Sequence, residues 1–267
     1  MKKLIALVLA ALLLCLTFAS CAAKEDKTIV VAASSTPHAE ILEQCKAILA
    51  EEGYTLEVKV MDDYITPNTA TDGGDVDANY FQHQPYLDQF NAENGTKLNT
   101  VVRVHYEPYG IYAGSCKALE DLEDGAIVCV PNDATNEARA LLLLADNGLI
   151  EVKEGAGLTA TKNDITSNPK NLDIREMEAA LLPGMLDEAA LCVINGNYAL
   201  SAGLNVKNAL ASEKAESEAA QTFANVIVVK EGNENLDKIQ ALVKAVTSDA
   251  IRTFINDSYD GAVVPIF

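Results

Sequence analysis

An eight-residue segment of the chain concentrates aromatic and polar side chains of the kinds that bind small ligands. It reads Asn79-Tyr80-Phe81-Gln82-His83-Gln84-Pro85-Tyr86, with three aromatic rings, one imidazole and three amides, although aromatic residues are only 6% of the sequence. A pocket lined by such a mixture holds an apolar side chain and fixes the polar groups beside it. The alternative is that the rings only fill the core at a junction between a loop and a helix.

Arg139 falls in the first turn of a predicted helix that runs from about Asn136 to Asn147. An arginine there opposes the helix macrodipole, which favours acidic residues in the first turn. An anion between the helix terminus and the guanidinium would remove this conflict, because backbone N–H groups and the guanidinium fork both bind a carboxylate. The alternative is a surface ion pair between Arg139 and either Glu137 or Asp133.

Asn195 closes a predicted buried strand and precedes Gly196. Side chains at the carboxyl end of such a strand face the cleft of an α/β lobe, so the amide of Asn195 is placed to bind a ligand's amino or carboxylate group. The alternative is an ordinary turn, since Asn before Gly is common in turns.

The sequence lacks the usual motifs of catalysis and of metal or phosphate binding. Asp75, Asp77 and Asn79 have the first spacings of a calcium loop, but Tyr80 and Tyr86 stand where Gly and Glu are required. No H-E-x-x-H, phosphate-binding glycine loop or G-x-S-x-G elbow occurs. We therefore predict no catalytic residue, no metal site and no cofactor, and a protein that is not an enzyme. The histidines without a paired spacing are His38, His83 and His105.

The charge of the chain disfavours nucleic acid as a partner. Its 267 residues contain 20 Lys and Arg against 39 Asp and Glu, a formal net charge of −19. A field of that sign repels phosphate backbones. The 49% of hydrophobic residues are enough for one large or two smaller cores.

The first residues have the pattern of an exported lipoprotein. Lys2 and Lys3 precede an apolar run, and small residues lead to Cys21, which together indicate a signal peptide over residues 1–20. Diacylglyceryl modification of Cys21 would anchor the chain to the cell membrane on its extracytoplasmic face, through a tether over residues 21–27, because several acyl chains suffice for stable anchoring. The later cysteines show no disulfide framework and are expected to be buried free thiols: Cys45, Cys116, Cys129 and Cys192.

Two α/β patterns recur along the rest of the chain. A continuous apolar strand at Thr28–Ala33 leads into a helix with one apolar stripe and then into an alternating strand at 54–60, which predicts parallel pairing. A second strand at 125–130 again leads into a helix. Further predicted elements are a β-type stretch at 100–114 interrupted by Pro108, strands at 189–194 and 225–230, and a C-terminal helix over 236–246.

This recurrence and the chain length predict two α/β lobes with a ligand cleft between them. Strands near 104–112 and 224–230 would carry the chain from one lobe to the other and back. The first lobe is expected to comprise residues 28–107 and 224–267, and the second residues 108–223.

Several strings together resemble the methionine-binding lipoproteins of bacterial methionine ABC importers, the NlpA-type family. The matching strings, spread over most of the mature chain, are Asp63-Tyr64-Ile65-Thr66-Pro67-Asn68, residues 75–89 with Phe81-Gln82-His83-Gln84-Pro85-Tyr86-Leu87-Asp88-Gln89, Val130-Pro131-Asn132-Asp133-Ala134-Thr135-Asn136, Asn168-Pro169-Lys170-Asn171-Leu172 and Val193-Ile194-Asn195.

The resemblance implies an α/β, two-lobed periplasmic-binding-protein fold that closes on a free amino acid. It implies that Tyr64, Phe81 and His83, with Tyr86 nearby, surround the thioether side chain of methionine. It also places the ligand's α-carboxylate on Arg139 and Asn136, and its polar end on Asn195. The expected ligand is L-methionine, and the expected partners are an ABC permease and its ATPase, with the protein itself a monomer.

Leu181 and Gly184 depart from the family's pattern, because polar residues are commoner at both places. If their loop borders the cleft, the ligand would instead be another apolar amino acid or a methionyl dipeptide. A third interpretation is a surface interaction protein with a vestigial cleft, and an exported hydrolase is the weakest alternative.

Overall fold

The computed structural model describes residues 27–214 and 222–267. The predicted signal peptide over 1–20, the lipidated Cys21 and all of the tether before Lys27 lie outside the described residues. Within these two ranges, no helix is long and apolar enough to cross a bilayer.

The described residues form short strands and amphipathic helices. The strands are β1 Thr28–Ala33, β2 Thr55–Val60, β3 Ala78–His83, β4 Leu98–Tyr106, β5 Gly110–Ala113, β6 Ile127–Pro131, β7 Glu151–Val152, β8 Ile165–Ser167, β9 Asp173–Met177, β10 Leu191–Ile194, β11 Ala211–Ser212, β12 Asn225–Lys230 and β13 Val264–Pro265. The α-helices are α1 Glu40–Glu51, α2 Thr66–Gly73, α3 Gln84–Asn94, α4 Ala134–Asp146, α5 Gly196–Ser201, α6 Asp237–Val246 and α7 Asp249–Tyr259. A nine-residue 3-10 run occupies Ala179–Asp187.

The larger sheet has six strands in the order β13-β4-β12-β3-β1-β2. β1 pairs in parallel with both β2 and β3, as a continuously apolar central strand predicts. β12 runs antiparallel to β3 and β4, and β13 antiparallel to β4, so the sheet is mixed and not parallel throughout. Apolar residues of β1, α1 and α6 form its main core, among them Ile29, Leu42 and Leu242.

The second large sheet has five strands in the order β11-β5-β10-β6-β9. β6 is parallel to β9 and β10, whereas β5 is antiparallel to β10 and β11. Its core lies under α4, where Leu141 and Leu144 are fully buried. We call the six-stranded sheet with its helices the first lobe and the five-stranded sheet with its helices the second lobe.

The chain crosses from the first sheet to the second between β4 and β5 and returns between β11 and β12. Pro108 lies in the first crossing, where it interrupts the β-type stretch that the sequence predicts over 100–114 and separates β4 from β5. Each sheet draws its strands from one of the two predicted lobes, while the exact lobe boundaries stay a prediction.

Four cysteines of the described residues are free thiols. Cys45, Cys129 and Cys192 are buried as expected, but Cys116 is only half-buried. Burial raises the pKa of the Cys45 thiol to about 12, so this thiol is protonated and inert at neutral pH.

Candidate functional site

A cavity of about 340 Å³ lies between the two lobes and is lined by side chains from both. All seven residues that the sequence analysis singles out for ligand contact line it: Tyr64, Phe81, His83, Tyr86, Asn136, Arg139 and Asn195. Five residues outside the predicted ligand contacts line it too: Gln82, Glu107, Gly196, Asn197 and Asn225.

The aromatic wall of the cavity comes from the end of β3, the start of α3 and the loop before α2. The ring centroid of Tyr64 lies 5.8 Å from that of Phe81 and 5.5 Å from that of Tyr86. The ring centroid of Tyr198 in α5 lies 5.0 Å from that of Tyr64. These are the tilted and edge-on arrangements that aromatic rings prefer, and they form an apolar surface for an uncharged side chain.

The segment 79–86 is a fully buried strand followed directly by a helix, not a loop before a helix. Tyr80 belongs to the core, with no exposed surface and a hydrogen bond from its hydroxyl to Nδ1 of His105. The core interpretation therefore applies to Tyr80, whereas its neighbours Phe81 and His83 line the cavity.

His83 joins the aromatic wall to the opposite lobe. Its Nδ1 accepts the backbone N–H of Tyr86 and thereby caps α3. Its Nε2 lies 3.0 Å from Oδ1 of Asn136 and donates to it in the tautomer that the cap requires. Burial, and secondarily the charge of Arg139, lower the pKa of His83 to about 4, so the ring is neutral at pH 7.

The polar end of the cavity is built on the first turn of α4 and the end of β10. Asp133 caps α4 by accepting the backbone N–H of Asn136, and it also accepts the Asn136 amide at 2.9 Å. This leaves Oδ1 of Asn136 to accept from Asn195 Nδ2 at 2.9 Å, beside its bond from His83. The two amides are thus fixed side by side at the cleft.

Arg139 is nearly fully buried and does not form the surface ion pair considered as an alternative. Its Nε and Nη2 donate to the carboxylate of Glu213 at 2.8 and 2.6 Å. Its guanidinium carbon lies 4.1 Å from the ring centroid of Phe223 and 4.7 Å from that of Tyr109. Nη2 also donates to the main-chain oxygen of Glu107 at 3.0 Å. Nη1, which has no hydrogen-bond partner among the described residues, is therefore the nitrogen left for an anion in the cavity.

The Arg139–Glu213 pair carries opposite charges in a buried place. Burial alone would lower the pKa of Arg139, but the adjacent Glu213 raises it above its ordinary value. Burial would raise the pKa of Glu213, but the charge and hydrogen bonds of Arg139 lower it. Both groups are therefore ionised at neutral pH, and the guanidinium is a permanent cation facing the cavity.

His38, His105 and Glu107 come together at the cavity wall that Glu107 lines, although their spacing along the chain shows no metal motif. One ligand atom from each lies within 4.8 Å of the others. His105 Nε2 donates directly to Glu107 Oε1 at 2.7 Å, however, and His38 Nε2 donates to Asn225 Oδ1 at 2.9 Å. Two ligands of a tetrahedral zinc lie more than ~3 Å apart, so this geometry is that of a hydrogen-bonded group and not of an ion's ligands.

The loop that departs from the family pattern lies at the outer edge of the cleft. Glu178, Ala179 and Ala180 border an outer groove that also contains Tyr64 and Tyr198. Leu181 is half exposed, and neither it nor Gly184 is among the residues that line the cavity.

The chain is similar in sequence to known lipoproteins. A family model described as NlpA lipoprotein matches residues 29–267. The chain is 43% identical to the methionine-binding lipoprotein MetQ of Bacillus subtilis over 90% of this chain and 88% of that protein.

Solved structures of similar chains share the fold. A nutrient-binding protein from Burkholderia cenocepacia bound to methionine superimposes with a TM-score of 0.85 at 40% identity, covering 90% of this chain and all of that one. An ABC transporter periplasmic substrate-binding protein from Coxiella burnetii gives a TM-score of 0.84 at 37% identity, covering 89% and 100%. The two-lobed α/β architecture with a ligand cleft is therefore that of substrate-binding proteins.

Proposed function

The chain belongs to the NlpA lipoprotein family, and on that basis we propose that it is a lipid-anchored substrate-binding protein that captures methionine and delivers it to an ABC importer. The observation that carries this proposal is the division of one cavity into an aromatic end and a cationic end. A thioether side chain is uncharged and polarisable, so it suits the ring faces and edges of the first end. A carboxylate suits the second.

In this proposal the seven predicted residues share the ligand between the lobes. Tyr64, Phe81 and Tyr86 contact the thioether side chain. Nη1 of Arg139 binds the α-carboxylate, because Nε and Nη2 are already occupied by Glu213. His83 closes the aromatic end, and the amides of Asn136 and Asn195 complete the polar end.

The cellular setting follows from the first residues and from the family. Cys21 carries the lipid and holds the protein on the extracytoplasmic face of the cell membrane, where it presents its cargo to a permease with an attached ATPase. The protein acts as a monomer that binds its ligand without chemical change.

The test is to identify the cargo without choosing it beforehand. The mature lipoprotein, purified in detergent, is analysed by native mass spectrometry before and after mild unfolding and refolding. We expect a released ligand with the mass of methionine, and calorimetry with L- and D-methionine then ranks the enantiomers. A different small ligand would keep the receptor role and change its cargo, whereas an empty protein whose melting temperature ignores methionine would overturn the proposal.

A further inference from the structure

Cys129 and Cys192 face each other on neighbouring strands of the second sheet. They are direct partners in the parallel register of β6 and β10. The side chains of such partners point to the same face of a sheet, and both cysteines belong to one apolar cluster, with Leu182 and Tyr198. Neither cysteine has any exposed surface. The fold thus brings together two thiols whose spacing in the sequence shows no redox motif.

The surroundings of the two thiols make them unreactive in the finished fold. Burial raises the pKa of both, and the hydrogen bond between the two thiols raises that of Cys192 further. The attacking species in disulfide exchange is the thiolate, which these pKa shifts make scarce at neutral pH. An oxidant must therefore meet the two cysteines before the apolar cluster closes over them.

The strand pairing places the two residues at the separation of a disulfide. Neighbouring strands lie about 4.8 Å apart, within the range of about 4.4–6.8 Å for the Cα atoms of a bridged pair. The two other cysteines of the described residues lie elsewhere. Cys45 is in α1 of the first lobe and Cys116 follows β5, so neither is a partner in the register of β6 and β10.

We propose that Cys129 and Cys192 are a redox modification site, which a disulfide closes while the exported chain folds. The oxidant is another disulfide, of a thiol oxidoreductase or a small molecule outside the cytoplasm. The thiolate of one cysteine attacks it and forms a mixed disulfide, and the other cysteine then displaces the mixed partner. Two S–H bonds are lost and one S–S bond forms, while the two protons and two electrons pass to the oxidant, which leaves as two thiols. The inference needs the export in the proposed function but not its ligand.

The bridge would act on the part of the second lobe that carries the polar end of the cavity. β6 leads through Asp133 into α4, and β10 ends directly before Asn195. A disulfide between these strands fixes their register and restricts the unfolded chain, which stabilises the fold because the closed loop is long. Neither cysteine is among the residues that line the cavity, so the bridge leaves the ligand contacts in place.

The test is oxidative refolding of the mature lipoprotein in detergent. The protein is unfolded in urea with a reductant, refolded in a buffer of reduced and oxidised glutathione, and digested without reduction for mass spectrometry. We expect a cross-linked pair of peptides that contain Cys129 and Cys192. We also expect a melting temperature at least about 5 °C above that of the same protein after reduction. The same buffer applied to the folded protein should leave both thiols free.

Two variants assign the effect to the pair. Cys192→Ala removes one sulfur and keeps the place apolar, and Cys116→Ala is the matched control at a half-buried thiol outside the pair. Each variant is compared with its own reduced form, so a loss of stability from the substitution itself cancels. We expect glutathione to raise the melting temperature of Cys116→Ala as it does that of the wild type, and to leave that of Cys192→Ala unchanged.

Three results would overturn the assignment. One is a refolded wild-type protein whose four thiols all stay free, and another is a bridge that joins a different pair of cysteines. The third is a Cys192→Ala variant that gains as much thermal stability from the oxidant as the wild type does. Oxidation of the folded protein as fast as during refolding would contradict closure of the bridge before the core forms. None of these measurements involves methionine, so a wrong ligand in the proposed function would not produce any of these results.

Discussion

Arg139 is held so firmly that only its Nη1 is left to meet a ligand. Glu213 occupies two nitrogens, and the rings of Phe223 and Tyr109 stack against the guanidinium. Glu213 is itself fixed by the hydroxyl of Tyr106 and the backbone N–H of Tyr109. A point charge on a flexible stem cannot reproduce this planar, stacked fork.

We therefore expect Arg139→Lys to weaken methionine binding by at least ~1.5 kcal/mol, the scale of a charged hydrogen bond, although the net charge is unchanged. Titration calorimetry measures the loss. The control is Arg175→Lys, at an exposed arginine that pairs with Asp173 away from the cavity, and it should bind normally. Equal affinity in the two variants would contradict a carboxylate site at Arg139.

The unfavourable place of Arg139 in a helix's first turn is visible in the sequence, and so an anion near it could be predicted. The presence of Glu213 beside Arg139 could not be predicted, because these two residues lie 74 positions apart in the sequence and meet only through the fold. Glu107 and Asn225 were missed for the same reason. Glu107 follows one apolar β-type run and Asn225 begins another, but nothing local shows that these two points meet at one cavity.

The start of α4 shows how an element positions a binding residue. Asp133 accepts both the backbone N–H and the side-chain amide of Asn136, so one carboxylate caps the helix and orients the amide towards Asn195 and His83. Stability and binding are coupled at this turn.

We expect Asp133→Ala to lower the free energy of unfolding by about 1 kcal/mol, as loss of a helix cap does, and also to weaken methionine binding, because the Asn136 amide is no longer fixed. Chemical denaturation and calorimetry measure the two effects. Ser248→Ala is the control, since Ser248 caps α7 away from the cavity through the N–H of Ile251. We expect Ser248→Ala to lower the free energy of unfolding without changing the affinity for methionine. If Asp133→Ala behaved in the same way, stability and binding would not be coupled at this turn.

Elements with a single clear periodicity could be predicted closely. The strands Thr28–Ala33 and Asn225–Lys230 have the predicted bounds, and the helix expected from about 136 begins at Ala134. β3 was not predicted, because Asn79, Gln82 and His83 break its apolar run. These polar side chains are tolerated in a fully buried strand since they bond to one another and to Asn68 and Asn136, which a local pattern does not reveal.

At the scale of the whole molecule, the two lobes are joined across the cleft by hydrogen bonds that side chains of the cavity region make to the opposite lobe. The hydroxyl of Tyr64 donates to Asn197 Oδ1 at 2.7 Å, and that of Tyr198 to the main-chain oxygen of Asp62 at 3.0 Å. His83 and Asn136 form a third link. These bonds exist only when the lobes are together, so a ligand that contacts both lobes stabilises the same state.

Saturating methionine should therefore reduce the radius of gyration of the wild-type protein, as measured by small-angle scattering. In Tyr64→Phe we expect the equilibrium between the closed and the open state to shift towards the open state. That variant keeps the aromatic ring and removes the bond to Asn197, so we expect methionine affinity to fall by about 1 kcal/mol and closure to need more ligand. Tyr259→Phe is the control: its hydroxyl donates to Glu40 within the first lobe, so its loss affects stability but not closure. A scattering profile that methionine leaves unchanged in the wild-type protein would mean that closure is not the signal. An importer would then have to recognise the loaded protein by its surface alone, since both states would have the same shape.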